Sequence, residues 1–183
     1  MQSDVEPAVS TPRGRAIIRP GMEEDAAAYR ELRLEALLNH PEAFSSDYET
    51  YLAKPLSFWT ERLRFDHPDS SVMMFFAAQS QDLIGMCGVA HSRARKTRHS
   101  AYLVSMYVRP DWRGLRIAGG LVTACLDWAR ARGITIVKLG VAATNLPAIR
   151  CYARCGFQVY GIEAQAVYHE GVYYDELLMA MMT

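Results

Sequence analysis

The chain has 183 residues, a length for one domain, and half of them are apolar against 22% charged. Such a composition buries enough surface to offset chain entropy, which excludes an intrinsically disordered protein. With 20 Lys+Arg against 20 Asp+Glu the formal net charge is zero, so no global field draws the chain onto nucleic acid or an anionic membrane. The balance hides an asymmetry, because residues 1–80 hold 13 acids and 8 bases while residues 81–183 hold 7 acids and 12 bases. An anionic ligand is therefore expected in the C-terminal half.

Residues 1–14 are polar with two prolines and read as a disordered leader; they lack the apolar centre of a secretory signal. Residues 15–183 read as a single domain. Residues 15–19 form a short strand, and residues 22–39, rich in Ala, Leu, Glu and Arg, form a first helix. Pro41 interrupts it, and helical stretches follow at 45–53 and 56–65. The apolar runs 73–78 and 83–90 are joined by the polar link Gln79, Ser80, Gln81 and Asp82, as in a hairpin, and a third antiparallel strand, 101–108, follows the basic stretch 92–100.

After Pro110 the period changes. Ile117, Leu121, Cys125 and Trp128 recur at helical spacing over 115–132, and Gly133 stands where a helix ends. Residues 134–141 are a β-branched strand, so 101–141 is a strand–helix–strand unit whose two strands are parallel and near the middle of the sheet. A short helix at 147–154 and strands at 157–166 and 173–181 close the chain. The expected fold class is α/β (α+β), a mixed and mostly antiparallel sheet of six to seven strands around a central parallel pair, flanked by helices. The final strand is expected at an exposed edge, available for pairing in a homodimer.

Cys87, Cys125, Cys151 and Cys155 show neither CxxC spacing nor a zinc-ligand companion, so buried thiols and no metal are expected. Without a membrane span or signal, the protein is expected to be cytoplasmic and reduced.

The densest chemical signal runs from Val108 to Gly120, where a strand ends, a loop of Gly and Arg follows, and a helix begins. A helix N-terminus presents unpaired N–H groups and the positive end of the macrodipole, which suits a phosphate. Two familiar phosphate motifs fail: Arg116 breaks GxGxxG, and Gly119 is followed by Gly120 and Leu121 rather than the Lys and Ser/Thr of Walker A. Taken alone, the segment is equally an ordinary helix entry. Further on, Asn145, Ala148 and Tyr152 stand at offsets of three and seven, on one side of a helix.

In this order and spacing, the two segments resemble the GNAT superfamily of acyl-CoA-dependent N-acyltransferases. The likeness covers residues 15–183, with the specific motifs at 104–120 and 145–157. The family's pyrophosphate pattern, Gln/Arg-x-x-Gly-x-Gly/Ala, maps onto Arg113, Arg116 and Ala118, with Arg116 replacing the central glycine. The resemblance implies a splayed parallel pair that admits the pantetheine arm, bonded by the backbone of Met106 and Val108. It implies a diphosphate held by Arg113, Gly114, Leu115, Arg116, Ile117, Ala118 and Gly119, with Asn145 on the pantetheine and Tyr152 as general acid for the thiolate. It further implies acetyl-CoA as co-substrate and a small-molecule or peptide amine as acceptor.

Where many relatives carry a glutamate at the start of the upstream strand, this chain has Tyr102. His91, Asp175, Glu176 or a chain of waters remain as routes for the acceptor's proton. Helices 22–65, with Phe44, Tyr48, Trp59 and Phe65, are expected to wall the acceptor side, their acids favouring a cationic amine. Two rival readings stand beside this one: a non-catalytic acyl-CoA-binding regulatory domain, and a nucleic-acid module using Arg93, Arg95, Lys96 and Arg98. Eight strand residues, roughly 26 Å, separate that run from the phosphate loop, so it does not serve the diphosphate, and a solvated hairpin tip is the simpler account of it.

Overall fold

Along Val72–Gln79, Phe75 and Ala77 turn to one side while Met74, Phe76 and Ala78 turn to the other, and all five are buried. A strand buried on both faces needs cover on both, and the chain provides it. The computed structural model describes residues 8–64 and 72–183. Its strands are β1 (Ala8–Thr11), β2 (Gly14–Pro20), β3 (Val72–Gln79), β4 (Asp82–His91), β5 (Ser100–Val108), β6 (Ile136–Ala142), β7 (Gln158–His169) and β8 (Val172–Met182). They form one sheet in the order β1-β2-β3-β4-β5-β6-β8-β7, antiparallel throughout except for β5 and β6.

The helices are α1 (Ala26–Asn39), α2 (Tyr48–Leu52), α3 (Leu56–Leu63), α4 (Ile117–Ala131) and α5 (Leu146–Arg154). α4 buries Ile117, Leu121, Val122, Cys125, Leu126 and Ala129 against one face of the sheet, where Tyr152 of α5 joins them. Tyr29 and Leu32 of α1 and Trp59 of α3 bury on the other. Each large aliphatic side chain so buried contributes about 1.5–3 kcal/mol.

Three expectations are corrected. Residues 8–11, assigned to a disordered leader, pair with β2 and make the sheet eight-stranded rather than six to seven; Thr11 Oγ1 donates to the Gly14 carbonyl at 2.7 Å, closing the turn between them. The final strand is not at the edge: β8 runs between β6 and β7, so β7 is the free border on that side. The helices at 45–53 and 56–65 are shorter than expected, because Asp47 caps α2 by accepting from Thr50 N–H at 2.8 Å and α3 ends at Leu63. Phe65 lies outside the described residues. Among the described residues no helix is long and apolar enough to cross a membrane.

Candidate active site

β5 and β6 pair only through Ser100, Ala101 and Tyr102 with Ile136, Val137 and Lys138. Beyond Tyr102 the two strands part. A bulge in β5 marks the divergence: Val104 faces Gly88 and Tyr107 faces Met86, so Ser105 and Met106 share a single partner position, and Ser105 takes φ 57°. Past the bulge, Arg109 N–H donates to the Ile84 carbonyl at 3.0 Å. By strand alternation the preceding residue, Val108, presents its backbone groups to the β6 side. The sheet therefore contains a wedge-shaped gap with backbone donors and acceptors on its β5 lip.

The loop beyond β5 leads to α4. The first bond of the helix runs from Gly120 N–H to the Arg116 carbonyl at 3.1 Å, which leaves the amides of Ile117, Ala118 and Gly119 without partners inside the helix. A Cβ at Gly114 or Gly119 would meet nothing within 4 Å, whereas one at Gly120 would overlap Ile18. Gly120 lets α4 settle on β2, while Gly114 and Gly119 keep the outer side of the loop open. This surface suits a diphosphate: amides without helical partners, the helix dipole and open space beside Gly114 and Gly119.

Arg113, expected among the anion ligands, is engaged elsewhere. Its amide donates to the Pro110 carbonyl at 3.1 Å, its Nε donates to the Val108 carbonyl at 3.0 Å, and its guanidinium lies 2.8 Å from His40 Nε2. It braces the loop against the strand end. Leu115 packs on the core. Arg116 caps α4 with φ 65°, in the left-handed region where a Cβ is strained. That conformation explains why the family pattern asks for glycine at this point. Arg116→Gly is expected to raise stability by about 1 kcal/mol and to retain or improve acetyl-CoA binding, read by thermal melts and calorimetry.

Asn145 has two tasks. Its Oδ1 accepts from Ala148 N–H at 3.2 Å as the cap of α5, which leaves its amide NH₂ for a ligand. Tyr152 is only 6% exposed and packs edge-on to Phe157, with ring centroids 6.0 Å apart. Burial, reinforced by the nearby thiols of Cys87, Cys151, Cys125 and Cys155, holds its pKa well above 10. The phenol is protonated throughout the physiological range. All four cysteines are free, and Cys151, hydrogen-bonded to Cys155 and close to Arg154, has its pKa lowered to about 7. No group of three or more His, Cys, Asp or Glu placed to share a metal ion occurs among the described residues.

On the opposite face, the turn Pro41–Ala43 lies against β6 and β7. Glu35 of α1 accepts from the Tyr107 hydroxyl at 2.9 Å and from Arg109 Nε at 3.0 Å, tying that helix to the end of β5. Sequence reasoning missed this cluster because Glu35 lies 72 and 74 residues from its partners. Among the proton acceptors considered, His91 faces Ala101 at the closed end of the β5/β6 pair and stacks near Trp128, at 5.5 Å between centroids. Asp175 Oδ1 accepts from Gln165 N–H at 2.8 Å, fastening β7 to β8. Tyr102, 48% exposed, stands on the last paired rung with Lys138 Nζ 5.6 Å from its ring. Residues 93–99 are exposed, in the link that precedes the far end of β5.

Residues 29–157 match the acetyltransferase (GNAT) family. The chain belongs to that family. Among curated GNAT relatives it is 31% identical over 144 residues to a protein named mycothiol acetyltransferase from Brachybacterium faecium, covering 77% of this chain and 40% of the relative. The chain thus spans about two fifths of the length of that relative. Among solved structures, an acetyltransferase of the GNAT family from Streptococcus pneumoniae superposes with a TM-score of 0.81 at 20% identity, over 92% of this chain and 99% of the other. The putative acetyltransferase yncA from Salmonella typhimurium, solved with acetyl-CoA, superposes with a TM-score of 0.74 at 20% identity, over 91% and 93%. These two structures share the fold with the GNAT chain described here.

Proposed function

We propose that this protein transfers an acetyl group from acetyl-CoA directly to a primary amine of a small molecule or peptide. The observation that carries the proposal is the end of β5/β6 pairing at Tyr102, which leaves a β5 edge leading to the open amides of α4. A pantetheine arm is a narrow amide chain, and it bonds to an unpaired strand edge as a further strand does. Val108, and Met106 beside the bulge, would supply that edge, Asn145 would donate its free NH₂ to the arm, and Gly114 through Gly119 would hold the diphosphate. The curated relative's name, mycothiol acetyltransferase, supports a small-molecule acceptor.

The reaction balances as follows. The neutral amine attacks the thioester carbon, forming a C–N bond. The C–S bond then breaks, and the departing sulfur takes a proton from Tyr152, which regains one as the nitrogen sheds its own. A phenol held above pH 10 is a persistent donor but a weak acid. Tyr152 would therefore stabilise the developing thiolate by a hydrogen bond first and complete the transfer only as the nitrogen releases its proton.

The testing experiment is release of free thiol from acetyl-CoA against a panel of amines, with controls lacking acceptor. Amine-dependent release is the expected result. Binding of acetyl-CoA without release for any amine would instead establish an acyl-CoA-binding regulatory domain. Asn145→Asp preserves the cap on α5 while removing the NH₂ donor. It is expected to weaken acetyl-CoA binding by about 0.5–1.5 kcal/mol in calorimetry, with little change in melting temperature.

A further inference from the structure

Gly140 is the second residue of β6 beyond its last rung with β5, so it borders the gap. A Cβ on Gly140 would overlap the carboxylate of Glu176. Glu176 pairs with Ala142 in the β6/β8 register, and its side chain slants diagonally across β6 to lie over Gly140. Its neighbours in β8, Leu177, Met179 and Met181, pack into the core under α4 and α5. By alternation Glu176 faces the other side of the sheet, the side that carries α1. Tyr102, at the rung where a family glutamate is expected, points to that same side, because Ala101 and Leu103 flank it in the opposite core.

We infer that Glu176 is the general base that takes the proton from the acceptor's ammonium group at the mouth of the gap. The inference rests on the acetyl-transfer reading. It assigns to β8 the carboxylate that β5 lacks, carried across the sheet by a glycine that leaves room for it. In the step, the carboxylate oxygen accepts one proton from R–NH₃⁺, the freed lone pair attacks the thioester carbon, and Glu176 passes its proton to solvent before the next turnover.

Half-burial first, and then the charge of Glu163 directly across in β7, raise the pKa of Glu176 above the ordinary 4.5. Both changes make it a stronger base than an ordinary carboxylate. Charged groups of the neighbouring elements include Lys138 of β6, on the same side of the sheet and directed at Tyr102, and Glu42 of the Pro41–Ala43 turn that lies against β6 and β7, 3.6 Å from His40 Nδ1. Two carboxylates at positions 163 and 176 against one ammonium leave a local negative charge. The acceptor class is therefore a cationic amine that arrives protonated and loses its proton in place.

The test is the pH profile of kcat/KM for an active amine at saturating acetyl-CoA. A base acts when ionised, so the rate should rise with pH through the pKa of Glu176, giving an acid limb above pH 4.5. Glu176→Gln is expected to lower kcat/KM at least about 10-fold, to remove that limb, and to leave acetyl-CoA affinity unchanged in calorimetry. Glu163→Gln removes the neighbouring charge and should move the limb to lower pH. Gly140→Ala, which displaces the carboxylate, should lower kcat/KM in the parent protein and add no further loss in the Glu176→Gln background, as expected of groups in contact; the acid limb is the readout that a merely structural role would not move. An active parent with an unchanged limb in Glu176→Gln overturns the inference alone. A parent that releases no thiol with any amine overturns the acetyl-transfer reading, and the inference falls with it.

Discussion

Tyr152→Phe is expected to lower kcat about 100-fold or more while leaving the dissociation constant of acetyl-CoA nearly unchanged. The substitution removes one oxygen from a ring that otherwise keeps its packing against Phe157. A shape-conserving change of this kind costs under about 1.5 kcal/mol of stability, so the variant should fold and melt much as its parent does. What it loses, on the mechanism proposed above, is donation to the leaving sulfur. Because the phenol's pKa is held well above 10, its ionisation should produce no alkaline limb below pH 10 in the parent protein. Stopped-flow turnover and calorimetry on the same preparation separate the two effects. An unchanged rate removes Tyr152 as the proton donor.

The largest expected loss of stability comes from Asp25→Ala. Arg19 donates to both carboxylate oxygens of Asp25, at 2.7 and 2.8 Å, and Met22 N–H donates to Oδ2 at 2.8 Å. This knot joins the end of β2 to the start of α1. Cutting it leaves a part-buried guanidinium without that carboxylate and a backbone N–H without its acceptor. A cost of about 2–3 kcal/mol follows, discounted from a fully buried pair because Arg19 keeps some solvent contact. Burial opposes the charge on Asp25, but the bonds from Arg19 and Met22 outweigh it and hold its pKa below 3.8. A lowered pKa stabilises the fold fully above the unfolded value and loses that contribution as pH falls through the folded value. Urea titrations should therefore show the gap between parent and variant largest near neutral pH and narrowing below about pH 4.

Much of the fold was legible because periodicity is local. The strand–helix–strand unit from β5 to β6, the glycines at the entry to α4 and Gly133 after its end, with φ 69°, stand where spacing put them. β1 was not legible: Ala8–Thr11 has no apolar run and becomes a strand only by pairing with β2. The position of β8 inside the sheet was hidden for a related reason, since a strand's own residues do not say which two neighbours it will find. One local sign was passed over. A glycine within the strand Ile136–Ala142 marks close approach of another group, and at Gly140 that group is Glu176.

The candidate site divides along the same line. Residue chemistry alone identified a helix N-terminus suited to phosphate and an asparagine and a tyrosine spaced along one helix, and the family resemblance added a missing glutamate at Tyr102. Those features follow from neighbours a few positions apart, where backbone geometry dictates the outcome. Only the folded chain decided that the sheet stops pairing at Tyr102, that Arg113 fastens the loop to Val108 and His40, and that Glu176 reaches over Gly140. These are contacts between distant segments, set by how the strands register and how the core packs, and no periodicity along the chain encodes them.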